Sequence, residues 1–336
     1  MAEPLVPGER PVEPPASSQS LSKVLDHLRP FNLGPANPTP AQRGADEATT
    51  VYTTHATDAD PQNGSAQESA HNGTQSSNAN ADEVIPPLPV VIERIHARVQ
   101  EFLAESHPPD SLLASVQRST RTSLEVVASA VAQYKLSGLS LSYNGGKDCL
   151  VLLILFLAGL HPYASHAEST SKIPAIYALP PDPFPEVEDF VVSSAQAYHL
   201  SITKYTTEPP HTTLRSSFED YLALHPGVRA IFVGTRRTDP HGAKLTHFDR
   251  TDGGWPDFMR IHPVIDWNYA EIWAFIRHLG LEYCRLYDMG YTSLGGTSDT
   301  LPNPRLKMQD EQKDGEGGYL PAYKLMQDLE ERLGRN

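Results

Sequence analysis

Asn144-Gly145-Gly146-Lys147-Asp148 stands between two apolar stretches, and its residue types suit an anion. Paired glycines let the backbone come close to a charged oxygen, and the first free N–H groups of a following helix point at it. Lys147 adds a positive charge, and Asp148 follows it. Chemistry on a phosphate group is what such a set serves. It is not the P-loop of kinases and GTPases. That motif needs a further glycine upstream of the Gly-Lys pair and a Ser or Thr after the lysine. Here the stretch around Ser142 has no such glycine, and Asp148 follows Lys147. Taken alone, the loop leaves two readings open: a phosphate cradle, or a plain strand-to-helix turn.

A second concentration of polar residues follows the apolar run Val228 to Val233. It reads Gly234-Thr-Arg236-Arg237-Thr-Asp239-Pro-His-Gly242, then Arg250-Thr-Asp252 and Trp255-Pro-Asp-Phe-Met-Arg260. Any one of these residues is adequately explained as part of an exposed, salt-bridged loop. Their density directly after a core strand points to function, because functional groups gather on loops at strand ends. Near the C-terminus, Arg332 and Arg335 stand three residues apart, so a helical end would present both on one face. A solvated basic helix terminus explains them equally well.

The elements that must position these groups can be read from periodicity. Leu139, Leu141 and Tyr143 alternate as in a strand, and Cys149 to Leu160 is an unbroken apolar run of buried-helix length. Further strands are expected at Ile173 to Leu179, Leu200 to Tyr205 and Val228 to Val233, with helices at Asp189 to Tyr198 and Phe218 to Leu224. Upstream, Leu88 to Glu105 has helical spacing. Asp110 can cap a second helix through Val116, and a third is expected from Thr122 to Tyr134. Strands alternating with helices imply an α/β fold with a mostly parallel sheet covered on both faces. Ligands bind such sheets beyond the carboxyl ends of the strands, where both polar clusters fall.

The formal net charge of −14 gives no general attraction for nucleic acid. The longest apolar run is too short to span a bilayer, so no membrane partner is expected. Two cysteines exclude a disulfide framework and suit a reducing, cytoplasmic location. The fourteen histidines show no metal-ligand spacing and are read as ordinary. Residues 1–83 are rich in Pro, Ser, Thr, Asn and Gln, with one apolar cluster from Leu21 to Phe31. That composition predicts a disordered extension, with a short amphipathic helix near Ser22 to Leu28, ahead of a domain over 84–336.

The motifs, taken in order, resemble the eukaryotic FAD synthase (FMN adenylyltransferase) family of the PAPS reductase-like, ATP pyrophosphatase superfamily. Ser142-Tyr-Asn-Gly-Gly-Lys-Asp-Cys149 resembles the pyrophosphatase loop of N-type ATP pyrophosphatases, usually S-G-G-x-D-S, in a variant that looks specifically like that of eukaryotic FAD synthase. Ile173-Pro-Ala-Ile-Tyr, Phe184-Pro-Glu186, the Arg236 to Pro240 stretch, Arg250 to Arg260, Gly290 to Gly296, Leu301 to Pro304 and Glu331-Arg-Leu-Gly-Arg335 continue the match. Leu333 departs from the usual alanine. The resemblance implies a Rossmann-like, adenine nucleotide alpha-hydrolase-like domain in its short single-domain form. It would transfer AMP from ATP to FMN, giving FAD and pyrophosphate. It further implies Ser142, Asn144, Gly145, Gly146, Lys147, Asp148 and Arg236 on the ATP phosphates, with Asn144, Asp148, Arg332 and Arg335 in catalysis. Asp239, Asp252 and Trp255 would meet the flavin. Mg²⁺ would be held chiefly by substrate phosphates, with Asp148 as the candidate protein ligand. A monomer that passes FAD to apo-flavoproteins is expected. A sulfonucleotide reductase would need a C-terminal cysteine, and none lies beyond Cys284. A binding protein without turnover is the rival from a different class.

Overall fold

The computed structural model describes residues 85–166, 171–206, 213–308 and 318–336. The expected tail over 1–83 and its short helix lie outside the described residues. Helix α1 (Leu88–Ala104) carries Pro89 in its first turn, where proline is tolerated, and buries Leu88, Val91, Ile92, Ile95, Val99 and Phe102 along one stripe. Helix α2 (Leu112–Tyr134) is a single helix where two were expected, and its cap is Ser111 rather than Asp110. Two polar residues along it, Gln117 and Ser123, are buried and satisfied. Gln117 donates to the Phe102 and Glu105 carbonyls, and Ser123 donates to that of Pro263.

Strand β1 (Leu139–Ser142) leads through the glycine loop into α3 (Lys147–Gly159), whose residues Leu150 to Ala158 are all buried. Then follow β2 (Ile173–Ala178), α4 (Pro185–Ala197), β3 (Leu200–Tyr205), α5 (Leu214–Leu224) and β4 (Ala230–Phe232). Pro185 opens α4 at its first turn, and a Thr213–Ser216 capping box opens α5, so both helices begin earlier than their apolar residues suggested.

After β4 come β5 (Phe248–Arg250), β6 (Met259–Ile261) and α6 (Tyr269–His278), which the sequence reading left unassigned. The sheet order is β3-β2-β1-β4-β6-β5, parallel throughout except for β5 at the edge. The chain therefore works outward from β1 in one direction, then returns to β1's other side with β4. That reversal creates a crevice between β1 and β4 at their carboxyl ends. Both sheet faces are covered: Leu141 and Tyr143 are fully buried, and so is Ser140, whose hydroxyl lies 2.6 Å from that of Tyr221.

Candidate active site

The glycine loop leaves β1 at this crevice. Gly145 has φ +71°, and a Cβ there would lie 2.8 Å from Val191 Cγ2, so both conformation and space demand glycine. Asn144 Oδ1 accepts from the Gly146 N–H at 3.0 Å, and the Tyr287 hydroxyl accepts from the Lys147 N–H at 2.9 Å. On the neighbouring strand's end, Gly234 packs on the start of α3. A Cβ at that position would lie 3.0 Å from the Cys149 nitrogen and 2.9 Å from its sulfur. The segment after β4 thus packs directly on the start of the helix that follows the glycine loop.

A cleft of about 500 Å³ opens above them, within the range of small-molecule sites. Its floor is Asn144, Gly146, Lys147, Asp148 and Cys149. One wall runs from Tyr177 to Val187, a second carries Leu214 and Ser217, and a third Gly234, Thr235, Asp239 and Pro240. Tyr287, Ser293 to Gly295, Glu331 and Arg332 complete it.

Beneath the floor lies a buried charge cluster. The Lys147 side chain is 2% exposed, and its ammonium contacts Asp148 Oδ2 at 2.9 Å and Glu331. The Arg236 guanidinium is fully buried and meets three carboxylates: Asp148, Asp328 at 2.8 Å, and Glu331. Its Nε stands 2.8 Å from Asp148 Oδ1, an ion pair out of hydrogen-bond alignment. The Lys147 ammonium also lies 5.2 Å from the centre of the Tyr269 ring. Burial by itself would raise the Asp148 pKa, but the adjacent Lys147 and Arg236 charges outweigh it and hold the carboxyl below its ordinary range. Burial likewise opposes the charge on Lys147 and on Arg236, yet their carboxylate partners raise both pKa values. Asp148, Lys147 and Arg236 are therefore charged at neutral pH. Burial pushes the neighbouring Cys149 thiol up to about 12.

This cluster changes the roles expected for two cations. Lys147 lines the cleft but spends its charge on Asp148 and Glu331, and Arg236 does not line the cleft. Neither cation stands free to meet a phosphate. Asp148 does not fit the part of a direct metal ligand, because both of its oxygens already face cations. Ser142 ends β1 and lies outside the cleft lining, whereas Asn144, Gly146 and Asp239 are in it. Asp239 also shapes its own loop by accepting from the Arg236 N–H at 2.8 Å. Asp252 and Trp255 sit exposed on the turn between β5 and β6, outside the lining; Trp255 packs edge-on against Phe218, beside the lining residue Ser217.

The two C-terminal arginines separate. They lie not on a helix but on turns that end in a bridge between Arg335 and Thr300. Arg332 lines the cleft with its guanidinium unpaired among the described residues. Arg335 is spent on Asp299 at 2.7 Å and on the Leu294 carbonyl at 2.8 Å. Sequence reasoning missed Glu331 and Asp328, which hold this segment to the loop. The signal was present in Glu331, the first residue of the E-R-x-G-R motif, of which only the arginines were given roles.

A parallel sheet with a glycine loop at its switch point and a mixed polar cleft above defines an α/β nucleotide-handling class. The family model for the phosphoadenosine phosphosulfate reductase domain matches residues 138–302, from the start of β1 through the segment that closes the cleft. The chain is 41% identical over 247 residues to a probable FAD synthase of Schizosaccharomyces pombe, covering 73% of this chain and 89% of that one. It also matches 39% of the length of a probable FAD synthase of Caenorhabditis elegans, at 36% identity over 63% of this chain. The chain belongs to the FAD synthase family. Its structure is similar to Candida glabrata FMN adenylyltransferase in complex with FAD and inorganic pyrophosphate (TM-score 0.70, 28% identity, 76% of this chain and 99% of that one). The same enzyme with FMN and the ATP analog AMPCPP gives a TM-score of 0.70 at 30% identity, over 75% of this chain and 98% of that one.

Proposed function

We propose that this chain, through its 84–336 domain, transfers the AMP of ATP to the phosphate of FMN, forming FAD and releasing pyrophosphate. The observation that carries the reading is the cleft itself. One cavity brings together the glycine loop, the Asp239 loop after β4 and the Arg332 segment, in a chain whose family includes an adenylyltransferase solved with FMN and an ATP analog.

The chemistry asks little of a protein base. An FMN phosphate oxygen, already anionic at neutral pH, attacks the α-phosphorus. The bond from that phosphorus to the bridging oxygen of the β-phosphate breaks, and pyrophosphate leaves with the electron pair. Charge builds on the non-bridging oxygens and on the leaving group, so positioning and electrostatic stabilisation supply the rate. In this reading Asn144 and the glycine backbone receive the phosphates, and Arg332 supplies the unpaired positive charge. Lys147 and Arg236 act from below by fixing Asp148 and Glu331, and thereby the loop and the C-terminal segment. Asp239 marks the flavin side, with Trp255 and Asp252 at its rim.

Mg²⁺ belongs to the proposal as an ion carried on the nucleotide's phosphates, since the carboxylates under the loop are committed to Lys147 and Arg236; no step is assigned to it. Two free thiols support a cytoplasmic location. Action as a monomer and delivery of FAD to apo-flavoproteins complete the proposal, and sedimentation of the pure chain tests the first of these.

The deciding experiment follows FMN and MgATP by chromatography with wild type and Asp148→Ala. FAD and pyrophosphate from wild type, lost in a folded variant, would support the reading. Tight flavin binding without FAD formation by wild type would sink it in favour of a binding protein.

A further inference from the structure

Away from the cleft, Glu105, His107 and His278 converge where the end of α1 meets the end of α6. Their ligand atoms all lie within 4.8 Å of one another. Glu105 Oε2 stands 2.8 Å from Nε2 of His107 and 2.8 Å from Nε2 of His278, so both imidazoles aim the same ring nitrogen at one carboxylate oxygen. Nothing in the sequence announced this set, because His278 is 173 residues from Glu105 and only folding joins them.

The trio is also held in place. The Phe102 ring packs against both imidazoles, at 5.0 Å from His278 and 6.4 Å from His107, and the two imidazoles meet edge-on at 6.0 Å. The backbone that carries Glu105 and His107 is tied to α2 along its length. Gln117 bonds the Glu105 carbonyl at 2.9 Å, Arg121 that of Leu103 at 2.9 Å, and Arg118 that of Pro109 at 3.1 Å. A braced backbone with both imidazoles packed on one ring brings the donors together before an ion arrives, as a metal site requires.

We propose that Glu105, His107 and His278 form a binding site for a divalent transition metal of the zinc class, which clips the end of α1 to the end of α6. Two imidazole nitrogens and one carboxylate are a donor set suited to Zn²⁺, whereas Mg²⁺ and Ca²⁺ prefer oxygen. Tetrahedral bonds of 2.0–2.2 Å space neighbouring donors by about 3.3 Å, so each 2.8 Å contact opens by about half an ångström as the ion enters. Glu105 is 39% exposed and His278 28%, which leaves side-chain freedom for that change and room for a water as fourth ligand.

Isothermal titration of the untagged, chelator-treated full chain with ZnCl₂, beside MgCl₂, tests the site. The expected result is one Zn²⁺ per chain with a dissociation constant of about 1 µM or below, no response to Mg²⁺, and a rise in Tm with Zn²⁺. His107→Ala and His278→Ala should each weaken binding at least about tenfold, and Glu105→Gln should weaken it while leaving the fold intact by circular dichroism. Zinc affinity unchanged in the double histidine variant would overturn the proposal. So would the absence of saturable binding in wild type, which would leave the trio as a hydrogen-bonded cluster. None of these residues lines the cleft, so neither outcome depends on FAD formation.

Discussion

Replacing Arg236 with Met tests whether the charge cluster under the loop holds the domain together. The guanidinium is fully buried among Asp148, Asp328 and Glu331, whose side chains are 18%, 21% and 6% exposed. Met fills part of the space but leaves Asp148 and Glu331 to share Lys147, and leaves Asp328 with the Tyr269 N–H in place of a cation. Breaking a buried ion pair from one side costs about 3–5 kcal/mol, because the remaining charges are left uncompensated in a poorly hydrated site. Against a typical domain stability of about 5–15 kcal/mol this is a large fraction, and it corresponds to a Tm fall of about 6–20 °C for a domain of this size.

The pH dependence sets the sign. In wild type the Asp148 carboxyl is held below its ordinary pKa, so its contribution is present above the unfolded value of about 3.9 and is lost as pH falls through the lower folded value. Without Arg236 that depression shrinks, so the variant's deficit should be full at pH 7 and narrow as pH falls below about 4. Urea unfolding of both proteins at pH 7 and at about pH 3, followed by circular dichroism, reads the difference. A deficit below about 1 kcal/mol at pH 7, or one that grows in acid, would refute the claim that these charges depend on one another.

Gly234→Ala places a methyl 3.0 Å from the Cys149 backbone nitrogen, so the β4 end and the start of α3 must part. A loss of about 1–3 kcal/mol in urea unfolding is expected, together with weaker nucleotide binding. Tyr287→Phe removes the acceptor of the Lys147 N–H, which should cost about 1–3 kcal/mol and speed hydrogen exchange at that amide. With its pKa pushed up to about 12, Cys149 should carry about a thousandfold less thiolate at pH 8 than a thiol of pKa 9. Iodoacetamide labelling of the native chain should therefore be slow at Cys149 and become rapid in urea.

What the sequence made legible was local. The strand, glycine loop and apolar helix from Leu139 to Gly159 fall where periodicity put them, because a buried parallel strand and a buried helix need continuous apolar runs. The antiparallel pair β5 and β6 escaped notice because three-residue strands have no period to read. In α2, Gln117 and Ser123 are polar by type, and only their partners on other elements make them core residues. The same holds at the site. Lys147 and Arg236 look like phosphate ligands when read beside their neighbours. Glu331, 184 residues beyond Lys147, gives both a different task, and the sequence pattern has no means of showing that closeness. Arg335 illustrates the reverse: its spacing from Arg332 suggested a shared helix face, while bonds to Asp299 and Leu294 take it out of the cleft.

The most direct test of the central claim is a crystal structure of this chain with FMN and a non-hydrolysable ATP analog. The expected result is a nucleotide α-phosphate against Asn144 to Gly146, with an FMN phosphate oxygen about 3–3.5 Å from the α-phosphorus, in line with the leaving group, and Arg332 on the phosphates. A flavin and a nucleotide bound apart, or phosphates seated away from the glycine loop, would contradict the account.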